Sequence, residues 1–260
     1  APGTGDTAQI ADGDTVTTFP SVYIEIDRLV LMGSSSLLSL GASSSINVSH
    51  DVVNNGSILL NNSSFIWVYE NLTNNGSFKR NGVNTTLSVG FGAAGHYSIN
   101  GSGSIGSSGN PLGDFNCYDS VTIAMTDSIY TVNLNVLNGK ITNTKKIVLG
   151  NGSSASIRLG YSPAYPDPVL DTFPAYTCPP EGISIRYYGR QGDFSTGYEI
   201  PPSRIINSFR IDALINPSNP SANITIDGGD LTVTTNLFLA ANSGNNRRVI
   251  LGNNNFYCNS

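Results

Sequence analysis

Few side chains in this sequence could carry acid–base or metal chemistry. Charged residues make up 12% of the 260-residue chain, with 18 Asp and Glu and 2 His. Glycoside hydrolysis needs two carboxylates roughly 5–10 Å apart. Glu25 and Asp27, in "YIEID", are spaced to share one strand face, although a solvated strand is the commoner use of such a pair. Asp227 and Asp230 flank Gly228-Gly229 and read as corner residues, because Asp closes turns by hydrogen bonding its own backbone. Glu199, in "TGYEIPP", reads as a packing or hydrogen-bonding carboxylate. No Cys or acidic residue is spaced with His50 or His96 as a metal set would be, and no nucleophile-elbow pattern is present. The Gly-rich stretch Gly101–Gly109 precedes no helix, so it lacks half of a phosphate site. These residues assign no catalytic, cofactor-binding or metal-binding role, and the expectation is a non-enzyme without cofactors.

Cys117, Cys178 and Cys258 are too few for a disulfide scaffold and lack metal spacing. One disulfide of unassigned pairing plus a free thiol, or three small buried hydrophobes, both fit. The net charge of −5 and pI near 4.8 argue against nucleic acid, because there is no basic stripe to release counterions. No apolar run reaches the length of a membrane span. The start Ala1-Pro2-Gly3 resembles a mature end left by cleavage, and the last residues read as a cut through a longer, secreted protein.

The elements that must position these side chains are strands. Helix formers do not cluster, whereas short alternating runs recur: Ser21–Leu31, Ser44–Val53, Ser64–Leu72, Thr86–Phe91 and Tyr130–Leu137. In the last, Val132, Leu134 and Val136 point one way and Asn133 and Asn135 the other. Asn-Gly, Gly-Ser and Asn-Asn pairs punctuate the runs, so the chain is all-β. A sandwich would use Asn-Gly as hairpin turns; a solenoid would use it as a corner between parallel strands. Asn55-Gly56-Ser57 returns as Asn75-Gly76-Ser77, and 75 − 55 = 20 residues. That interval suits one winding of a β-solenoid of roughly 20 to 24 residues per coil, with Asn55 stacked over Asn75. A longer echo aligns Asn133–Gly150 with Asn223–Ala240, an offset of 223 − 133 = 90 residues. It pairs Leu134 with Ile224 and Ile147 with Leu237.

Residues 1–20 read as an N-terminal extension or cap, 21–160 as solenoid coils, and 203–260 as resumed coils, truncated. Residues 161–202 hold Pro163, Pro166, Pro168, Pro174, Pro179 and Pro180. Proline cannot donate to a ladder, so this segment reads as a Pro-rich loop excursion with one or two strands. Within it, Tyr187, Tyr188 and Tyr198 are candidates for an exposed contact face. Phe65, Trp67 and Tyr69 alternate on one face of their run and read as interior filling.

The succession "NGKITNTKKIVLGNGSSASIRLG", "ISIRYYG…TGYEIPPS" and "NITIDGGDLTVTTNLFLA", with the earlier "LTNNGSFKRNG" and "HYSINGSGSI", resembles the long Bacteroidetes surface proteins exported by type IX secretion. These include the gliding-motility adhesins. The likeness covers most of Ser34–Asn253 and implies a right-handed parallel β-helix, an extracellular or outer-surface location, and a stalk or adhesive role. No C-terminal sorting domain of the family is recognisable in this sequence, as expected if it is cut from a longer chain. The family's O-glycosylation pattern, Asp then Ser or Thr then an apolar residue, marks Thr7, Thr15, Ser120 and Ser128. Asn-x-Ser/Thr also recurs, as at Asn47 and Asn151, and composition alone accounts for it.

The function expected is therefore a structural β-solenoid module of a secreted adhesin or extracellular filament. Its partners would be neighbouring domains or identical subunits end to end, with surface glycans a further candidate. The alternatives are a lyase or glycosidase on the same scaffold, and an ice-binding solenoid suggested by the Thr runs Thr15–Thr18 and Thr232–Thr235.

Overall fold

A computed structural model of the chain describes residues 5–91, 95–160, 169–188, 194–212, 221–239 and 246–258. The chain winds as a parallel β-solenoid with three faces. The first face runs through Thr7–Ile10, Arg28–Leu31, Val52–Asn54, Leu72–Asn74, His96–Gly101 and Ser120–Met125, and on to Val169–Leu170. The second runs through Thr15–Thr17, Leu37–Leu40, Ser57–Asn61 and Ser77–Asn81. The third runs through Tyr23–Ile26, Ser45–Val48, Phe65–Val68 and Thr86–Val89, and further down through Ala155–Leu159 and Ile183–Tyr188. Strand Ile129–Val136 continues from the second face into the third, which merges the two into one 18-stranded sheet. Pairings among the described residues are parallel, and helix is confined there to two 3-10 turns, Thr144–Lys146 and Pro180–Gly182.

Alternation decides which side chains fill the interior. On the third face one inward column runs Val48, Val68, Val89, Cys117, Val136, Leu159, Tyr187 and Ile211, every member buried. Each such side chain gains roughly 1.5–3 kcal/mol from leaving water. Trp67 lies between the inward Ile66 and Val68 and Phe65 directly precedes Ile66, so both point outward. They stack on each other at 5.9 Å and do not fill the interior, contrary to expectation.

The corner after the first face explains the repeated tripeptide. Ser77 pairs with Ser57, the Asn75 amide donates to Asn55 Oδ1 at 2.9 Å, and the Ser57 and Ser77 hydroxyls lie 3.1 Å apart. One residue earlier, Asn54 and Asn74 point inward and are fully buried. The Asn54 amide donates to Asn74 Oδ1 at 2.7 Å, and Asn54 Oδ1 accepts from Gly56 N at 3.1 Å. A buried amide is tolerated only when bonded in this way. A Cβ on Gly76 would lie 1.8 Å from Gly56 O, and one on Gly103 2.0 Å from Gly76 O. Glycine is required at this corner by close approach of successive coils, not by a left-handed φ.

Several boundaries differ from the sequence reading. Thr7–Ile10 and Thr15–Thr17 already pair in the ladders, so the solenoid begins before Ser21; these strands bury little and carry a weak apolar signal. The described part of 161–202 holds four strands. Three of them, Val169–Leu170, Ala175–Tyr176 and Ile183–Tyr188, continue the three faces in order. Pro174, Pro179 and Pro180 stand between strands, where no ladder donor is needed; Pro163, Pro166 and Pro168 lie outside the described residues. Coil length is uneven: 72 − 52 = 20 residues from Val52 to Leu72, but 224 − 194 = 30 from Phe194 to Ile224. The 90-residue echo is displaced by one face. Ile147 lies on the second face and Leu237 on the third, because all faces share one alternating pattern.

Candidate functional site

Most of the residues that could do chemistry are committed to a local partner. Tyr23 donates to Glu25; that hydrogen bond first, then burial and the charge of Glu25, push the phenol up to about 12. Asp27 lies past the end of its strand and meets His50 Nδ1 at 2.6 Å. Glu25 and Asp27 are thus split between a face and a corner. His50 Nε2 stands 4.0 Å from Glu70, so acid, imidazole and acid stack at one corner. The offsets 50 − 27 = 23 and 70 − 50 = 20 are coil lengths, and only a coil-spaced search of the sequence would have found the stack. His96 Nε2 lies 3.0 Å from Thr122 Oγ1. Asp230 accepts from Asn255 N at 2.7 Å, beside Gly228 and Gly229 with φ of 85° and 109°, as expected of a corner. Among the described residues no group of three His, Cys, Asp or Glu is placed to hold a metal.

Glu199 is buried. It accepts from the Tyr187 hydroxyl and from Gly197 N at 2.6 Å, which makes it an internal tie. Beside it Phe173, Tyr198, Arg204 and Asp227 line an open groove of about 410 Å³. Burial lowers the Arg204 guanidinium from its usual value, against the opposing pull of Tyr187, Glu199 and Asp227.

The contact-face expectation needs one correction. Tyr188 and Tyr198 are exposed, but Tyr187 is 1% exposed. Tyr187 shares its parity with the inward Ile183 and Ile185, and neighbours on a strand point to opposite sides. Thr7 and Thr15 begin strands and are exposed; Ser120 begins a strand and Ser128 directly precedes one, both half-buried. Asp119 and Asp127 each fold back to accept from the following Ser N, at 2.7 and 2.8 Å, so these Asp-Ser pairs serve the corner. Cys117, Cys178 and Cys258 are unbonded to one another, the first two buried and the third exposed. The Thr runs form no rank, since Thr15 pairs with Leu37 and Thr232 with Ile205 and Tyr257.

Among the described residues, both ends of the solenoid leave apolar side chains open. At the upper end Ile10, Val16, Ile24, Ile26, Leu29 and Leu38 help to line an opening of about 390 Å³. At the lower end Leu237, Phe238 and Leu239 are 39%, 46% and 49% exposed. Parity turns Leu237 and Leu239 inward, yet the described residues place no third-face strand beneath them. Compared with known proteins, the chain matches no family model, no curated protein and no solved structure.

Proposed function

We propose that this chain is a structural, non-catalytic module of a secreted surface adhesin or extracellular filament, joined through its ends to neighbouring domains or to copies of itself. The observation that carries the reading is the pair of apolar ends on a continuous ladder. An open strand edge presents unpaired N–H and C=O groups and templates another strand, and repeat proteins need their terminal faces covered. A parallel solenoid offers different edges above and below, so copies would associate head to tail and extend rather than close. The non-catalytic reading is supported by the carboxylates: Glu25, Asp27 and Glu199 are each tied to a neighbouring side chain.

Sedimentation across a concentration series, with a hydrophobic dye as second readout, tests the reading. Wild-type protein should associate into rods or bind dye, and Leu237→Asp with Leu239→Asp should reduce both. A wild-type chain that stays monomeric and leaves the dye dark covers its own ends, and the reading fails.

A further inference from the structure

The lower third face carries a sequence motif that the end-to-end reading does not use. Ser156-Ile157-Arg158, Ser184-Ile185-Arg186 and Ser208-Phe209-Arg210 occur on three successive coils. They fall in register: Ser156 pairs with Ser184 and Ser184 with Ser208, Arg158 with Arg186 and Arg186 with Arg210. The middle residues Ile157, Ile185 and Phe209 are buried, so every serine and arginine faces out. The result is a row of hydroxyls beside a row of guanidiniums, each with one member per strand spacing of roughly 4.8 Å.

Like charges directly opposite on neighbouring strands are destabilising, and the protein answers only part of this charge. Asp212 accepts from Arg210 Nε at 2.7 Å and also from Arg186. Arg158 has no ion-pair or hydrogen-bond partner among the described residues and is exposed. The row therefore keeps an excess of two positive charges, three arginines less one aspartate, on a chain whose net charge is −5. Aromatic rings flank it: the Arg186 guanidinium lies 5.5 Å from the Tyr188 ring and that of Arg210 4.4 Å from the Phe238 ring. Above it the outward row continues as Asn135 and Asn116, whose amides are bonded at 2.6 Å.

We propose that this Ser–Arg ladder binds a linear carboxylated polysaccharide laid along the solenoid axis. A flat row has no enclosed pocket for a small molecule, so its ligand must be extended and periodic, as the ladder is. Guanidinium matches the planar carboxylate through two parallel hydrogen bonds. Hydroxyl and amide rows pair with sugar hydroxyls, and exposed rings offer faces to sugar C–H groups. The short basic row suits sparse carboxylates better than a nucleic-acid backbone, whose binding is dominated by many phosphate contacts. The ladder lies on the side of the rod, so its action does not depend on whether the ends associate.

The test is affinity electrophoresis of folded monomer through gels containing polygalacturonate, dextran or duplex DNA. Polygalacturonate should retard the wild-type chain, dextran should not, and added salt should weaken the retardation. Arg158→Ala should weaken binding roughly tenfold, as expected for one charge-assisted hydrogen-bonded contact. Arg158→Lys should fall between the two, and Lys145→Ala, outside the ladder, should match wild type. Because Arg158 holds no ion-pair or hydrogen-bond partner among the described residues, its variants should keep the wild-type circular dichroism spectrum. No retardation by polygalacturonate, or equal retardation of wild type and Arg158→Ala, would overturn the proposal. Equal retention by duplex DNA would reduce the site to charge alone and overturn the polysaccharide assignment.

Discussion

Gly76→Ala is the sharpest probe of the stacked corner. The added Cβ would lie 1.8 Å from Gly56 O, which is backbone and cannot swing aside. Ordinary contact begins near 3.4 Å, so the two coils must part by 3.4 − 1.8 = 1.6 Å. A movement of that size along the stack would stretch the Ser77 N to Gly56 O bond from 2.8 Å to 2.8 + 1.6 = 4.4 Å, beyond any hydrogen bond. The neighbouring bonds from Asn75 N and Gly76 N to Asn54 O, at 2.8 and 3.0 Å, would loosen with it. Overpacking costs about 1–3 kcal/mol and the one broken bond about 1 kcal/mol, giving about 2–4 kcal/mol in all. Gly109→Ala is the control: a Cβ there meets nothing within 4 Å, and its φ is not left-handed, so it should change stability by less than about 0.5 kcal/mol. Urea unfolding can be followed by the fluorescence of Trp67, the one tryptophan in the chain, which sits in the coil that carries Gly56. Equal urea midpoints for Gly76→Ala and Gly109→Ala would refute the close parallel approach of the two coils.

Three further outcomes follow from the same geometry. Tyr187→Ala should cost about 3–5 kcal/mol, as for other large core truncations, whereas Tyr188→Ala on the opposite side should cost under about 1 kcal/mol; chemical denaturation of both variants would show equal losses if the parity were wrong. In native protein a thiol reagent should label Cys258 first, with Cys117 labelled only on unfolding, because burial both shields its thiol and raises it above its usual value; fast native labelling of Cys117 would contradict the interior column. Burial alone would raise the Asp171 carboxyl, but bonds from Thr144 N, Asn143 N and the Thr144 hydroxyl hold it below its usual value. Its stabilising contribution is therefore complete above the unfolded value near 4 and lost as pH falls through the lower folded value, so Asp171→Asn should flatten that acid limb of the stability curve.

The amino-acid order alone established the all-β class, the strand parity that sends Leu134 and Val136 inward and Asn133 and Asn135 outward, and the coil that sets Asn75 over Asn55. These follow from local rules: a strand alternates its side chains whatever surrounds it, and a tripeptide repeated after one winding lands on itself. The same parity sends Tyr187 inward with Ile183 and Ile185 and Trp67 outward between Ile66 and Val68, whereas aromatic character by itself does not tell the two sides of a strand apart. Only the tertiary structure could decide which distant residues become neighbours. The arginines of the ladder are separated by 186 − 158 = 28 and 210 − 186 = 24 residues, and the corner stack of Asp27, His50 and Glu70 by 23 and 20, so no single period reveals either. Loops at the corners lengthen a coil at little cost. Register is then set by closure of the backbone ladder and by packing in the interior, which a linear pattern does not record. The same freedom moved the 90-residue echo by one face, since every face asks for the same alternation.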